Sequence, residues 1–439
     1  MRNDNCLKGR RRRGRLASMA PDDAVHADTS IAAVSPLREG ELDAFFDTDA
    51  AAFGARMSLG FLGLVTSNMT LDRVAASRDE GSVVGTAASE TSMMTVPGLG
   101  RVPAAMVVAV AVMPSHRRQG RLRSLMRYQL DDVRGRGEIL ATLFASEGGI
   151  YGRFGYGQAT FGSTYTLDKR VARLARPVTD FASGRLRLVS RDQAAESFPA
   201  IYKEYAPTRA GELDRSEIDY LSALGEPGGD DLSRRFYAVY EEDGRLDAYV
   251  SYEIVPTAPP AHDPRRLVLH ELCALTPGGY VAMWNFLLGV DLTVELVTRP
   301  RPVDEPIKWL LADPRQLRCT ETWDRTWVRL VEVGLCLGAR RYAVAGDIVL
   351  GVDDAFCPWN SARYRIVVGE DWGTAEVSRT DAEADLELDA SALGSIYLGG
   401  VSPLALAEVG RIRQLSSDAV PRVSRMFAND RPPFSLTSF

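Results

Sequence analysis

A strand, a short turn, a helix and a second strand can be read directly from residues 101–146. The run RVPAAMVVAVAVM is apolar enough for the interior of a sheet, and the preceding run SVVGTAASETSMMTV predicts a strand beside it. After the turn PSHRRQG, apolar side chains recur at the spacing of one buried helix face: Leu122, Leu125, Met126, Leu130 and Val133. The run ILATLFAS then predicts another buried strand. This order is a βαβ unit, so the first domain should be α/β.

The arginine-rich turn of this unit has the features of an anion site. Successive main-chain amides and the helix N-terminus would point at an anion, and Gly120 would let a pyrophosphate approach without a Cβ in the way. Arg117 and Arg118 can add charge-assisted hydrogen bonds. A solvated helix face explains the same pattern nearly as well. A nucleic-acid surface would need basic side chains spread over one face with aromatic ones between them, whereas here they are confined to one turn and one helix.

Charge and cysteine content argue against several classes of protein. A net charge of −6 provides no basic field to attract nucleic acid or an anionic membrane. The five cysteines are widely spaced and accompanied by only four histidines, which is typical neither of a zinc site nor of a disulfide scaffold. No apolar run approaches the roughly 20 residues that span a bilayer, and no secretory signal is recognisable. We therefore expect a cytoplasmic protein with reduced thiols, no metal, and neither membrane nor nucleic acid as a partner.

The pattern of the chain predicts four segments. Residues 1–30 are rich in arginine and should form a disordered basic tail. A first domain should cover residues 31–172, and a second, with strands and helices in alternation, residues 173–320. The strand-rich remainder, residues 321–439, should form a third. Within the first domain, the run SPLREGELDAFFDTDAAAFG predicts a helix that begins after Ser35 as its N-cap.

Two motifs resemble a known family. The run VVAVAVMPSHRRQGRLRSLMRYQL is similar to the cofactor motif of the GNAT acetyltransferase superfamily, in which this turn holds the pyrophosphate of acetyl-coenzyme A. The run ASEGGIYGRFGYGQAT, residues 145–160, resembles the signature of the enhanced intracellular survival (Eis) family of acetyltransferases, and VVGTAASETSMMTVPG, GSIYLGG and a terminal phenylalanine agree with it. The resemblance implies two tandem GNAT-like domains, only the first of which binds cofactor. A sterol-carrier-like α/β domain should follow, and the protein should assemble as a homohexamer.

The same resemblance assigns residues to the acetyl-coenzyme A site. Three strand residues match those expected to bind the pantetheine arm: Val110, Ala111 and Val112. Four residues match the pyrophosphate turn: Arg117, Arg118, Gly120 and Arg121. Ser146 matches a lining position. The chain departs from the superfamily at Arg121, where an apolar residue is usual, and at Leu122, where glycine or alanine is common.

Acetyl transfer from a thioester to an amine needs a proton acceptor for the amine and a proton donor for the leaving thiolate. The resemblance assigns the donor to Tyr151, and a phenol with a pKa near 10 stays protonated at neutral pH. Without the resemblance, Tyr151 and Tyr156 are equally well explained as half-buried aromatics in a tight glycine turn. The resemblance assigns the base to the C-terminal carboxylate of Phe439, acting through water. A frayed terminus is the ordinary alternative, against which the proline-stiffened run RPPFSLTSF argues mildly.

The acceptor that the resemblance implies is a primary amine, either aminoglycoside-like or lysine-type. Phe53 and Phe61 lie in the helical region expected to line the amine pocket, and Ser438, which precedes the terminal residue, is also assigned to substrate binding. Ala55 and Ser438 occupy positions where acidic residues are expected, so the pocket should hold polycations less strongly. The alternative function is a protein that binds a lipid or another hydrophobic ligand through the sterol-carrier-like domain.

Overall fold

The computed structural model describes residues 33–225, 235–256, 265–370 and 375–439, and the strands of these residues form three mixed sheets. The basic tail predicted for residues 1–30 lies outside the described residues. The first part of the described chain contains the elements β1 (Val34–Pro36), α1 (Leu42–Phe53), α2 (Leu59–Asn68), β2 (Val74–Asp79), β3 (Ser82–Thr95), β4 (Arg101–Val112), α3 (Arg121–Gly135), β5 (Leu140–Phe144), β6 (Gly157–Gln158) and β7 (Phe161–Asp168).

The remaining elements fall in two groups. The middle of the chain contains β8 (Arg185–Val189), α4 (Arg191–Tyr205), α5 (Glu217–Ala223), β9 (Arg235–Glu242), β10 (Arg245–Pro256), β11 (Arg265–Ala274), α6 (Pro277–Gly289), β12 (Thr293–Thr298), β13 (Arg301–Pro302), α7 (Ile307–Leu310) and β14 (Arg318–Asp324). The last part contains β15 (Thr326–Leu330), α8 (Val333–Ala339), β16 (Gly346–Asp353), β17 (Ala362–Val368), β18 (Glu376–Arg379), β19 (Leu386–Asp389), α9 (Ala390–Tyr397), α10 (Pro403–Glu408), β20 (Ile412–Gln414) and α11 (Ala419–Met426).

The βαβ unit predicted from the sequence is confirmed. Strands β4 and β5 are parallel neighbours, with Ala104 opposite Leu140, and α3 connects them. Leu125, Met126 and their apolar neighbours on α3 are fully buried against the sheet, whereas Leu122 is half-buried. The strand predicted before this unit is β3, which pairs with β4 in antiparallel order.

The prediction that Ser35 caps the first helix is wrong. Ser35 lies in β1, opposite Ala76 of β2, and its hydroxyl accepts a hydrogen bond from Arg78. The helix α1 begins seven residues after Ser35, at Leu42, after the turn that contains Gly40. The serine is a favourable capping residue by type, but pairing with β2 gives its backbone hydrogen bonds that a helix start could not.

Two strands lie in sheets that their sequence positions did not suggest. The first sheet has the order β1-β2-β3-β4-β5-β15-β6, so β15 is inserted into it although its sequence lies in the predicted third domain, residues 321–439. The second sheet contains β7, whose sequence lies in the predicted first domain, residues 31–172. Each strand pairs with partners far away in sequence, and such partners cannot be read from the apolar pattern of the strand itself.

The third sheet, with the order β18-β17-β16-β19-β20, packs on the first through a shared apolar core. Val328 and Leu330 of β15 belong to the same buried cluster as Ile348 and Leu350 of β16. Helix α9 is buried along its whole length, between β15 and the third sheet. The C-terminal part of the chain is therefore fixed against the sheet that carries the βαβ unit.

Candidate active site

A cavity of about 750 Å³ lies beside the βαβ unit. Helices α1 and α2 form one wall and strands β3, β4 and β5 form another. Helix α5, from the middle of the chain, contributes Asp219, and the end of the chain contributes Ser438 and Phe439. Segments that are far apart in sequence therefore meet around a single space.

Strand β4 presents an unpaired edge next to this cavity. It pairs with β5 over Ala104–Met106, and the ladder ends there, although β4 continues beside β3 as far as Val112. Ala109 has a left-handed φ of 49°, and the register with β3 shifts by one residue at this position, which is a β-bulge. Val110 lines the cavity, and the main chain of Val110, Ala111 and Val112 runs along the open edge. An extended amide-containing arm such as pantetheine fits such an edge.

The turn that follows β4 forms an anion cradle at the N-terminus of α3. Within the described residues, the main-chain amides of residues 117–120 have no hydrogen-bond partner. Arg118 and Gly120 both have left-handed φ values, 63° and 76°, and the space beside Gly120 where a Cβ would lie is open. Unsatisfied amides at the start of a 15-residue helix suit a pyrophosphate.

The three arginines of this turn have different roles. The guanidinium of Arg121 is buried and donates to Asp79 at 2.8 Å and to the carbonyl oxygen of Arg78 at 3.0 Å. Its side chain is therefore engaged with β2 and is not directed toward an anion. Arg117 donates weakly to the carbonyl oxygen of Ala52, at 3.4 Å, and Arg118 is exposed. The side chains of Arg117 and Arg118, unlike that of Arg121, can turn to a bound phosphate.

Tyr151 lies in a short 3-10 helix, Tyr151–Phe154, and its side chain lines the cavity together with Ser146. Burial raises the pKa of Tyr151 above its ordinary value, while the hydrogen bond with Ser146 lowers it in part. The phenol is therefore protonated at neutral pH and can act as a proton donor.

The glycines that follow Tyr151 are required by close contacts with later parts of the chain. A Cβ on Gly155 would lie 2.7 Å from the guanidinium carbon of Arg329, and one on Gly157 would lie 2.1 Å from the carbonyl oxygen of Ser391. Gly155 also has a φ of 84°, which favours glycine. The glycine-rich signature thus lets β15 and α9 approach the loop that carries Tyr151.

The chain terminus is a packed part of the site. The ring of Phe439 packs edge-on against that of Phe144 at the end of β5, with centroids 4.9 Å apart. Ser438 accepts a hydrogen bond of 2.8 Å from Arg325, whose guanidinium also lies 4.8 Å above the ring of Phe144. Burial lowers the pKa of Arg325 to about 10, so it remains a cation at neutral pH. Ser438 thus bonds to a cation next to the terminal residue.

Three side-chain carboxylates of the described residues line the cavity, and none of them belongs to a residue predicted for the site. Burial raises the pKa of Asp49 and that of Glu90, and the charge of Asp219 raises the pKa of Glu90 further. Burial also raises the pKa of Asp219, although hydrogen bonds from Ser216 oppose it. Among the described residues that line the cavity, the one basic side chain is that of Arg73, which forms an ion pair of 2.8 Å with Glu138. A cation entering the cavity would therefore meet mainly negative charge.

The cavity brings together seven of the predicted residues: Phe53, Phe61, Val110, Ser146, Tyr151, Ser438 and Phe439. Arg117, Arg118 and Gly120 lie outside it, at the end of the open strand edge, and Ala55 is exposed and does not line it. Asp49 was detectable from sequence, because it follows Phe45 and precedes Phe53 by one helical turn each. Asp219 was not, because no local pattern links α5 to the first domain.

The described residues contain neither a candidate membrane span nor a candidate metal site. None of their helices is both long and apolar enough to cross a membrane. They also include no group of three or more histidine, cysteine or carboxylate side chains arranged to hold a metal ion.

Comparison with known protein families divides the chain in three. Residues 33–159 match a GNAT acetyltransferase domain, and residues 211–330 match a second acetyltransferase (GNAT) domain. Residues 333–435 match a sterol carrier protein domain. The predicted fold class, two GNAT domains followed by a sterol-carrier-like domain, is confirmed.

The chain is also similar to individual proteins over most of its length. It is 41% identical over 354 residues to an uncharacterised N-acetyltransferase of Streptomyces coelicolor, covering 80% of this chain and 84% of the relative. It is 35% identical over 361 residues to the N-acetyltransferase Eis of Mycobacterium tuberculosis, with the same coverage. Among solved structures, Eis1 from Mycobacterium abscessus superimposes with a TM-score of 0.83 at 32% identity, covering 93% of this chain and 100% of that one.

Proposed function

The chain belongs to the Eis family of N-acetyltransferases, and from this premise we propose that it moves the acetyl group of acetyl-coenzyme A to a primary amine that is aminoglycoside-like or lysine-type. The observation that supports this reaction most directly is that Tyr151 and the chain terminus, Phe439, line the same cavity beside the open edge of β4. Acetyl-coenzyme A supplies the activated acetyl group, and the residues of this chain bind it and move protons.

The proposed general acid is Tyr151. Its phenol is protonated because burial raises its pKa, and its side chain lines the cavity together with Ser146. A proton donated from this hydroxyl would neutralise the thiolate that leaves when the amine is acetylated. The adjacent main-chain edge, with Val110 in the cavity wall, would hold the pantetheine arm in reach of the phenol.

The proposed base is the terminal carboxylate of Phe439. A free α-carboxylate has a pKa of about 3.5, so it is a weak acceptor for an ammonium proton and would act by orienting a water that relays the proton. The packing of the Phe439 ring against Phe144 supports a fixed position for this group. The ordinary alternative of a frayed terminus does not account for this packing.

The proposed acceptor is a cationic amine whose remaining structure has an apolar surface that can pack against aromatic rings. The carboxylates of Asp49, Glu90 and Asp219 provide negative charge, and the rings of Phe53 and Phe61 provide apolar surface. Ala55 and Ser438 stand at two positions where acidic residues are expected, so the charge of those two residues is missing. The three carboxylates in the cavity walls remain as partners for an ammonium group.

The test is release of the free coenzyme A thiol from acetyl-coenzyme A in the presence of aminoglycosides and lysine peptides. We expect turnover on at least one amine, and its loss when a few residues are appended after Phe439, because the terminal carboxylate would then be displaced. Activity that survives the extension would remove Phe439 from the mechanism. Absence of both turnover and acetyl-coenzyme A binding would contradict the proposal that this protein acetylates amines.

We also propose that the protein assembles as a homohexamer in the cytoplasm. Light scattering should then give a mass six times that of one chain, and a monomer or dimer mass would contradict the assembly. The alternative function, a lipid carrier acting through the sterol-carrier-like domain, is not favoured, because the relatives that match most of the chain are N-acetyltransferases.

A further inference from the structure

The last residues of the chain are held in a buried position. After α11 the tail has no regular secondary structure, yet Phe434, Ser435 and Thr437 have no exposed surface. The amide of Phe434 donates to the carbonyl oxygen of Ala210 at 3.0 Å. Gly211 has a φ of 91°, and a Cβ there would lie 3.3 Å from the nitrogen of Phe434. The tail thus lies directly on the segment that follows α4.

One buried carboxylate, that of Glu212, accepts several hydrogen bonds from the polar groups of this tail. Both of its oxygens accept from the amide of Leu436, at 2.9 and 3.0 Å. The hydroxyl of Ser435 donates to Oε1 at 3.1 Å, and the amide of Thr437 does so at 3.4 Å. Glu212 has no exposed surface, so these donors replace the water that the carboxylate loses on burial.

Two further side chains of the second domain, those of Tyr202 and Arg215, contact Glu212 or the tail residue Thr437. The hydroxyl of Tyr202, on α4, donates to Glu212 at 2.5 Å and lies 2.6 Å from the hydroxyl of Thr437. Arg215 donates from Nε to that same Thr437 hydroxyl at 3.1 Å. Burial raises the pKa of Glu212, and the hydrogen bond from Tyr202 and the charge of Arg215 lower it.

The main chain of Glu212 is joined to the strand that forms the cavity wall. The amide of Thr95, at the end of β3, donates to the carbonyl oxygen of Glu212 at 2.8 Å, and the amide of Gly211 donates back to Thr95 at 2.7 Å. Glu90, in the same strand, lines the cavity. Glu212 therefore connects the tail to β3. Loss of the contacts to Glu212 would therefore leave the end of the tail free to shift relative to this wall.

We propose that Glu212 is a positioning residue that sets the register of the tail, and so holds the carboxylate of Phe439 in the active cavity. The catalytic consequence rests on the function proposed above, in which that carboxylate is the base. The tail residue nearest to Phe439 that contacts Glu212 is Thr437, two residues before the end of the chain. Glu212 therefore acts on the reaction only through the position of the tail.

The test compares Glu212→Gln with Glu305→Gln in the full-length protein. The glutamine keeps the shape of the side chain but places an amide donor against the amide of Leu436, so the tail should lose its anchor. Glu305 is a suitable control because it is equally buried in the second domain, where it accepts from Arg301 and Tyr280 and does not contact the tail.

The direct readout is the rate at which a carboxypeptidase releases Phe439. We expect release about tenfold faster in Glu212→Gln, together with a kcat about tenfold lower and an unchanged KM for acetyl-coenzyme A. Glu305→Gln should match the unmodified protein in the release rate of Phe439, in kcat and in the KM for acetyl-coenzyme A. If Glu212→Gln does not fold, the double variant Ser435→Ala with Thr437→Val should show the same changes, because it removes the hydroxyl that donates to Glu212 and the hydroxyl that contacts Tyr202 and Arg215.

The two readouts separate this proposal from the proposed function. Release at the unmodified rate in both the Glu212 and the tail variants would overturn the anchoring role. Faster release with an unchanged kcat would overturn the link between Glu212 and catalysis, and would remove the terminal carboxylate from the mechanism. Faster release in a protein that acetylates no amine would support the anchor and contradict the proposed function instead.

Discussion

Two tyrosines of one short loop have contrasting surroundings. Tyr151 lines the cavity beside Ser146, whereas Tyr156 is fully buried and its hydroxyl has no hydrogen-bond partner among the described residues. Their rings are 6.0 Å apart and meet edge-on, so both contribute to the packing of the loop. Removing either hydroxyl changes the packing little, and the pair therefore distinguishes a chemical role from a structural one.

We expect Tyr151→Phe to lower kcat by about 100-fold or more, with little change in the KM for acetyl-coenzyme A, because the proton donor for the thiolate is lost. The measurement is steady-state kinetics with the thiol-release assay. Tyr156→Phe is the matched control and should keep the unmodified kcat. Equal losses in the two variants would show that the hydroxyl of Tyr151 acts only through packing.

The carboxylates of the cavity should make amine binding depend on pH. Burial raises the pKa of Asp49, so on acidification this group loses its charge at a higher pH than an exposed aspartate, whose pKa is about 3.9. Attraction for a cation is thus present above the raised pKa and lost as the pH falls through it.

We expect the affinity for a cationic amine, measured by calorimetry between pH 8 and pH 5, to weaken as the pH falls. At pH 8, Asp49→Asn should weaken binding by about threefold or more and should flatten the pH dependence. Asp47→Asn is the control, because Asp47 lies on the same helix but bonds to Arg56 at 2.7 Å and does not line the cavity. A pH dependence unchanged by Asp49→Asn would assign it to other groups.

Helix α3 is flanked by two glycines with nearly the same φ. Gly120 has a φ of 76° at its start and Gly137 a φ of 77° just after its end, and both have open space where a Cβ would lie. An alanine at either position is therefore strained by a similar amount, about 1 kcal/mol. Only Gly120 lies beside the free amides of the anion cradle.

We expect Gly120→Ala to weaken the binding of coenzyme A by about tenfold, because the added methyl group and the altered turn disturb the approach of the pyrophosphate. Gly137→Ala should lower the melting temperature by a similar amount and leave the dissociation constant for coenzyme A unchanged. The checks are calorimetric titration and thermal melts. Equal dissociation constants in the two variants would rule out the cradle as the pyrophosphate site.

The three sheets are joined by strands, by a buried apolar cluster and by the C-terminal tail, which belong to one part of the sequence and pack in another. Strand β15 completes the first sheet, β7 belongs to the second, and the buried cluster around Val328 continues into the third through Ile348 and Ile396. The tail then returns from the third part of the chain to the first two, through Glu212. Such sharing of cores and strands couples the stability of the parts.

We expect differential scanning calorimetry to show one cooperative transition, because unfolding one part removes apolar partners from the others. Addition of coenzyme A should raise the temperature of the whole transition, since ligand binding to the folded state stabilises everything coupled to it. Two or more separated transitions, with only the first shifted by coenzyme A, would contradict this coupling.

Much of the first domain could be predicted because its signals are local. The spacing of Leu125, Met126 and Leu130 predicts a helix face, and the apolar run before it predicts a buried strand, since side-chain periodicity follows directly from backbone geometry. The glycine-rich signature identified the loop of Tyr151 by resemblance. The sequence by itself therefore determined the fold class, the family and the turn at Gly120.

Tertiary structure alone decided which distant segments meet. The pairing of β15 with β5, the entry of Asp219 into the cavity and the capture of the tail by Glu212 join residues far apart in the chain. Ser35 shows the same effect, since pairing with β2 overrides its preference for a helix cap. The physical reason is that a local pattern fixes the period and the buried face of an element. Its partner is selected by competition among all strands and surfaces once the chain has collapsed.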